Sequence, residues 1–250
     1  AHSLKTADAL VFVHPVWLSK AAPSGGKPVS FEALAFAAEL TESRQKLLAA
    51  LERLAAEPRE RAVAMLAVSP GQADEVEVDA RLRSAPAAPA ADVYTGVLYD
   101  RLGLASLPAK ARERVLIASA LWGVVRPADR IPYYRFSAKA RLPEIGALAG
   151  FWRPALKAAL PDEEGRLVVD MRSGAYAGAW KPKRAELLAV RAFSQQGGKR
   201  KPVSHMAKAV RGEVAKALLA AKRMPEDAAA AADVAAQAGF AVELSPGYLD

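Results

Sequence analysis

The fifteen residues Leu121–Arg135, LWGVVRPADRIPYYR, gather Arg126, Asp129, Arg130, Tyr133, Tyr134 and Arg135 around two prolines, Pro127 and Pro132, that stiffen the backbone. An arginine offers a planar fork of donors that matches a phosphate or a carboxylate. Asp129 is spaced to pair with Arg126 or Arg130 and hold one fork in place; the plainer alternative is a surface loop with internal ion pairs. Three other groups have comparable chemistry. Arg81 and Arg83 stand two apart ahead of a proline connector and the run Tyr94-Thr95-Gly96. Glycine beside a hydroxyl suits close approach to a ligand, although Thr95 can equally cap a helix. Asp170, Arg172 and Ser173 follow an apolar strand, and strand ends are where α/β proteins collect ligand-binding groups; the alternative is a turn with an Asp–Arg pair. His205, Lys208 and Arg211 recur every three residues, on about one helical face. That face is either an anion site or a solvated basic surface.

Other chemistries are excluded. The chain has no cysteine, hence no disulfide, thiolate nucleophile or iron–sulfur cluster. Its three histidines, at 2, 14 and 205, lie far apart, so no dedicated metal site and no cofactor is expected. Gly25-Gly26-Lys27 lacks the spacing of a phosphate loop, and no GxSxG occurs. The net charge of +8 draws polyanions toward the molecule, which keeps nucleic acid and phosphorylated metabolites in view. The apolar run Leu10–Val13 is four residues long before His14-Pro15, too short for a membrane span or a secretory segment. A cytoplasmic protein with no membrane partner is the expectation.

The elements that must position these groups are irregularly ordered. Strands are expected at Ala9–Val13, Arg166–Met171, Ala185–Phe193 and Phe240–Leu244. Helices are expected at Thr41–Ala56, with Thr41 as N-cap, and at Glu75–Leu82, Val93–Leu102, Pro108–Val125, Leu148–Leu160, Ser204–Ala221 and Asp227–Ala238. Ala62–Val68 reads as either, Ser84–Pro89 as a connector and Gln195–Lys199 as a turn opening the basic tract Lys199-Arg200-Lys201. The pattern implies a mixed α/β (α+β) fold without regular doubly wound order, in a single compact domain over residues 1–250.

Taken together and in order, several motifs resemble the YaaA family, also called UPF0246 or DUF328, known for a peroxide-stress protein. The motifs are Ala80–Pro86 with Pro89, Tyr94-Thr95-Gly96-Val97-Leu98-Tyr99, Leu121–Arg135, Asp170–Tyr176 and Val203–Gly212. The resemblance runs from about residue 10 to 244. It implies DNA binding through a helix-hairpin-helix-like element and a role in limiting free iron under peroxide stress. The pair Val93–Leu102 and Pro108–Val125 is the candidate hairpin, although its turn lacks a GxG. The first loop departs from the family pattern: Pro15-Val16-Trp17-Leu18-Ser19-Lys20 stands where Pro-Pro-Ser-x-x-Lys is usual. Lys20 is retained, and the Trp17 indole reshapes any cavity beside it.

Two functions follow. In the first, Lys20, Arg81, Arg83, Arg126, Arg135, Lys208 and Arg211 contact the phosphates of double-stranded DNA, with low sequence specificity. In the second, the same residues converge on a phosphate- or carboxylate-bearing small molecule, with Lys20, Tyr134 or His205 as acid or base. An interaction protein that docks an acidic partner is a third option, and nothing in the sequence selects it.

Overall fold

A computed structural model describes residues 9–13, 20–66, 74–196, 199–202 and 206–250. The first strand, Leu10–Val13, is apolar at every position and wholly buried, the pattern of a strand covered on both faces. It is the third strand from one end of a seven-stranded sheet. Across the sheet the strands run Leu244–Ser245, Tyr248–Leu249, Glu186–Val190, Leu167–Asp170, Leu10–Val13, Val115–Ser119 and Gly123–Val125. The five from Tyr248–Leu249 to Val115–Ser119 are parallel, and the strand at each edge is antiparallel to its neighbour. Val13, Ser119, Asp170, Val190 and Leu249 therefore all end at one edge, the carboxyl edge of the sheet.

The fold is the expected mixed α/β type, built on one contiguous apolar core. Helices form at Ala37–Ala55, Leu148–Ala159, Met206–Ala220 and Ala228–Gln237, close to where the apolar spacing puts them. Thr41 is not a cap. The first of these helices begins four residues earlier, because Ala37–Leu40 are good helix formers and extend the turn back to Phe36. Phe36 sits in the left-handed region at φ 57°, a conformation that costs a side chain about 1–3 kcal/mol.

The expected hairpin at 93–125 is not a pair of helices. Ala90–Val93, Val97–Leu102 and Ala109–Arg112 are short α-helices and Leu104–Ser106 a 3-10 turn, and Val115–Ser119 and Gly123–Val125 are buried antiparallel strands. The β-branched Val115, Ile117, Val124 and Val125 favour a pleated, doubly covered surface over a helix. The Ser84–Pro89 connector contains a short strand, Ala87–Pro89, antiparallel to Arg130–Pro132. At the basic tract, Phe193–Gln196 pairs with Lys199–Pro202 in a two-stranded ribbon outside the main sheet. The last strand expected at Phe240–Leu244 lies further on, as the pair Leu244–Ser245 and Tyr248–Leu249.

Candidate functional site at the carboxyl edge of the sheet

Much of the Leu121–Arg135 segment is core. Trp122, Val124, Val125, Ile131 and Tyr134 have essentially no exposed surface. Asp129 does not pair with the Arg126 guanidinium. Its Oδ2 accepts the backbone N–H groups of Ala35 and Arg126, at 3.0 and 2.9 Å, and so ties the start of the first long helix to this loop. Burial pushes the Asp129 carboxyl up, and those two N–H groups with Arg44 and Arg126 oppose the shift. Arg130 donates instead to the Ala87 carbonyl at 2.6 Å. Arg126 lies over the Phe36 ring, and Arg135 bonds the Tyr133 hydroxyl.

Arg44 supports the same loop from within. Fully buried, it donates to the carbonyls of Trp122, Ala35 and Val124 at 3.1, 2.9 and 2.8 Å. Desolvation lowers its pKa to about 10, partly opposed by the charge of Asp129. The sequence carried a sign of this: Arg44 lies three, four and seven residues before Leu47, Leu48 and Leu51, on the apolar face of its helix.

The residues that converge do so at the carboxyl edge. Tyr134, Tyr94 and Ser119 meet in a buried cluster, the Tyr134 hydroxyl lying 2.8 Å from Ser119 Oγ and 2.9 Å from the Tyr94 hydroxyl. Ser119 Oγ also accepts the Trp122 N–H at 3.0 Å, so strand end, turn and both tyrosines share one hydrogen-bond chain. Lys20 pairs with Tyr94 through a backbone bridge, and its ammonium lies 4.4 Å from the centroid of the Tyr134 ring. Burial pushes the Tyr94 phenol up to about 12 and holds that of Tyr134 well above the usual tyrosine range. Both are neutral at physiological pH. Two of the three proposed acid–base groups, Lys20 and Tyr134, are thus in contact; His205 lies outside the described residues, as do Val16 and Trp17 of the divergent loop.

Beside this cluster, Asp170 and Arg172 form a bidentate pair at 2.8 and 2.9 Å. Arg172 also donates to the Trp180 carbonyl at 2.9 Å and lies 4.2 Å from the Phe12 ring centroid. The pair is internally satisfied, as a turn built around it requires. Ser173 precedes the four-residue helix Gly174–Ala177 without a side-chain cap, and Thr95 is half-buried with Gly96, not Thr95, at the N-cap.

Arg211 is different. Its Nε donates to the Val190 carbonyl at 2.9 Å, which fixes the guanidinium at the end of that strand. Desolvation lowers its pKa against the attraction of Asp170, whose oxygens are already bonded by Arg172. Among the described residues no carboxylate lies within ion-pair distance of it. The helix carrying it presses on Val97–Leu102 at Gly212, where a Cβ would fall 2.4 Å from the Leu98 carbonyl oxygen. Lys208, one turn earlier, is half-buried.

The Arg81 and Arg83 pair does not join this edge group. Arg81 is exposed and faces Glu77, and Arg83 binds Glu52 on the first long helix at 2.6 Å. Ser119 is the member missed in the sequence, because 108–125 reads as a helix; the run Val-Leu-Ile-Ala-Ser, β-branched and ending in a hydroxyl, was the available signal. Among the described residues there is no group of three or more His, Asp or Glu placed to hold a metal, and no helix long and apolar enough to cross a membrane.

The family model for the peroxide stress protein YaaA matches residues 21–243, which hold Tyr94, Ser119, Tyr134, Asp170, Arg172 and Arg211, while Lys20 lies one residue before the match. The chain belongs to the YaaA family. A UPF0246 protein of Streptomyces coelicolor is 42% identical over 232 residues, 90% of this chain and 88% of the relative. One from Corynebacterium glutamicum is 36% identical over 243 residues, 96% and 97% of the two chains. An uncharacterized Campylobacter jejuni protein is 34% identical over 136 residues, 52% of this chain and 53% of its own. The YaaA match thus covers Lys20's partners Tyr94 and Tyr134 as well as the Arg211 helix.

Proposed function

We propose that this YaaA-family chain acts in peroxide stress on a small phosphate- or carboxylate-bearing molecule bound at the carboxyl edge of its sheet. Arg211 anchors the anion, and Lys20 works against the Tyr134–Ser119–Tyr94 relay as proton donor or acceptor. The observation that carries this reading is Arg211: oriented by Val190, partly desolvated, and without a carboxylate partner among the described residues. A guanidinium held out of water gains from a bidentate anion, the pairing that satisfies its two remaining nitrogens. The burial of Lys20, Tyr94, Ser119 and Tyr134 favours a small ligand over a duplex backbone, which cannot descend into such a site. Several exposed arginines, including Arg81 and Arg83, are already compensated by carboxylates.

Double-stranded DNA is the second reading. The net charge of +8 favours it, as does the ribbon carrying Lys199-Arg200-Lys201, since a two-stranded ribbon fits a major groove. Calorimetry with pyrophosphate, and duplex binding across a salt series, separate the two. The small-anion reading expects stoichiometric pyrophosphate binding that Arg211→Ala weakens at least about tenfold, the loss of one charge-assisted hydrogen bond. Pyrophosphate affinity unchanged in Arg211→Ala overturns it. A steep salt slope for duplex DNA that persists in that variant supports the DNA reading instead.

A further inference from the structure

The strand that orients Arg211 also borders a cavity of about 440 Å³. Its walls include Val190, Phe193, Val210, Val214, Phe240 and Leu249, so it lies past the carboxyl ends of the Glu186–Val190 and Tyr248–Leu249 strands, on the same edge as the anion anchor. Two residues join the features. Val190 lends its carbonyl to Arg211 and its side of the strand to the cavity, and Val210 precedes Arg211 on the helix. Three charged residues line the cavity: Arg191 binds Asp250 through two hydrogen bonds, at 2.6 and 2.7 Å, and stacks over Tyr248 at 3.9 Å, and Glu243 is the third. The other lining residues are aliphatic or aromatic, and pockets of this size with a mixed lining bury the greater part of a small organic ligand.

We infer that the ligand at Arg211 is an aromatic anion, its phosphate or carboxylate on the guanidinium and its ring in this cavity. The inference rests on the anion reading above and specifies what is attached to the anion. A hydrated inorganic ion leaves the cavity unused. A ring that fills it removes apolar surface of both partners from water, at roughly 25 cal/mol per Å². Phe240 and Phe193, whose ring also meets the Arg191 guanidinium at 5.5 Å, are the aromatic residues of the wall.

Calorimetry on the full chain with inorganic phosphate, methyl phosphate and phenyl phosphate tests it. Phenyl phosphate is expected to bind at least about tenfold more tightly than methyl phosphate, a difference of about 1.4 kcal/mol. Ala241→Trp, on the exposed loop over the cavity, is expected to abolish that preference while leaving inorganic phosphate binding unchanged; Phe240→Ala is expected to reduce it. Arg211→Ala is expected to weaken all three probes. Equal affinity for the phenyl and methyl esters, or a phenyl preference that survives Ala241→Trp, overturns the inference and leaves the anion site standing. Failure of every phosphate to bind overturns the anion reading itself, and this inference with it.

Discussion

Gly212 sets how closely the Arg211 helix approaches Val97–Leu102, and Gly212→Ala tests whether that approach matters. The added Cβ would meet the Leu98 carbonyl oxygen at 2.4 Å, the Arg101 Cβ at 2.9 Å and the Leu102 nitrogen at 3.2 Å. Two of these are backbone atoms and cannot rotate away. Ordinary contact therefore requires the helices to part by about 1 Å. Alanine gains about 1 kcal/mol of helix propensity over glycine, while overpacking costs about 1–3 kcal/mol, and a clash with two backbone atoms belongs in the upper part of that range, about 2–3 kcal/mol. We expect a net loss of about 1–2 kcal/mol and, for a chain this long, a fall in Tm of roughly 2–8 °C. The displacement carries Arg211 away from the Val190 carbonyl, so pyrophosphate affinity should fall by about tenfold even where the protein remains folded. Thermal denaturation and calorimetry on the same preparation read both effects. An unchanged or raised Tm refutes the packing argument; a lowered Tm with native pyrophosphate affinity refutes the claim that this contact positions Arg211.

Tyr134→Phe removes the hydroxyl shared by Ser119 and Tyr94 and leaves both short of a partner in the core, which should cost about 1–3 kcal/mol in urea denaturation. Because burial raises the Tyr94 phenol from 10 to about 12, its contribution is full below pH 10 and disappears as pH rises through about 12; a phenolate absorbance titration should show this group ionising late. Asp129→Ala takes the acceptor from Ala35 and Arg126 and the opposing charge from buried Arg44, so a destabilisation of about 3–5 kcal/mol is expected, with Asp129→Asn milder; a loss under about 1 kcal/mol contradicts the role given to Asp129. Asp162 behaves oppositely to Tyr94: burial raises its carboxyl, but backbone N–H groups of Ala185, Lys183 and Arg184 outweigh this and lower it. Its contribution is present above the ordinary carboxylate range and lost as pH falls through the depressed value, so the Tm of the native chain and of Asp162→Ala should converge in acid and separate near neutrality.

The strands Leu10–Val13, Val115–Ser119 and Leu167–Asp170, buried throughout, and Glu186–Val190, buried in part, differ in how plainly the sequence announces them. All but Val115–Ser119 carry short apolar runs flanked by charged residues or by proline, and their nature was legible. Val115–Ser119 was hidden because the preceding Pro108–Arg114 does begin as a helix and the apolar residues continue through Val125 without a glycine or proline until Gly123. A continuous apolar run cannot distinguish a doubly buried strand from a buried helix. That misreading concealed Ser119 and suggested a helical hairpin where strands stand. Of the candidate site, the pairing of Asp170 with Arg172 and the placement of Arg211 at a helix face were visible in spacing. Which arginines are compensated was not, because Glu52 and Arg83 meet only through packing across 31 residues of sequence, as do Ala35 and Asp129 across 94.

In the proposed function, Arg211 holds a small anion at the carboxyl edge of the sheet. Calorimetric titration of pyrophosphate into the native chain and into Arg211→Ala tests it most directly. One site per chain is expected in the native protein, with at least about a tenfold loss of affinity in the variant. Equal binding by the two proteins, or no binding by the native chain at low salt, contradicts it.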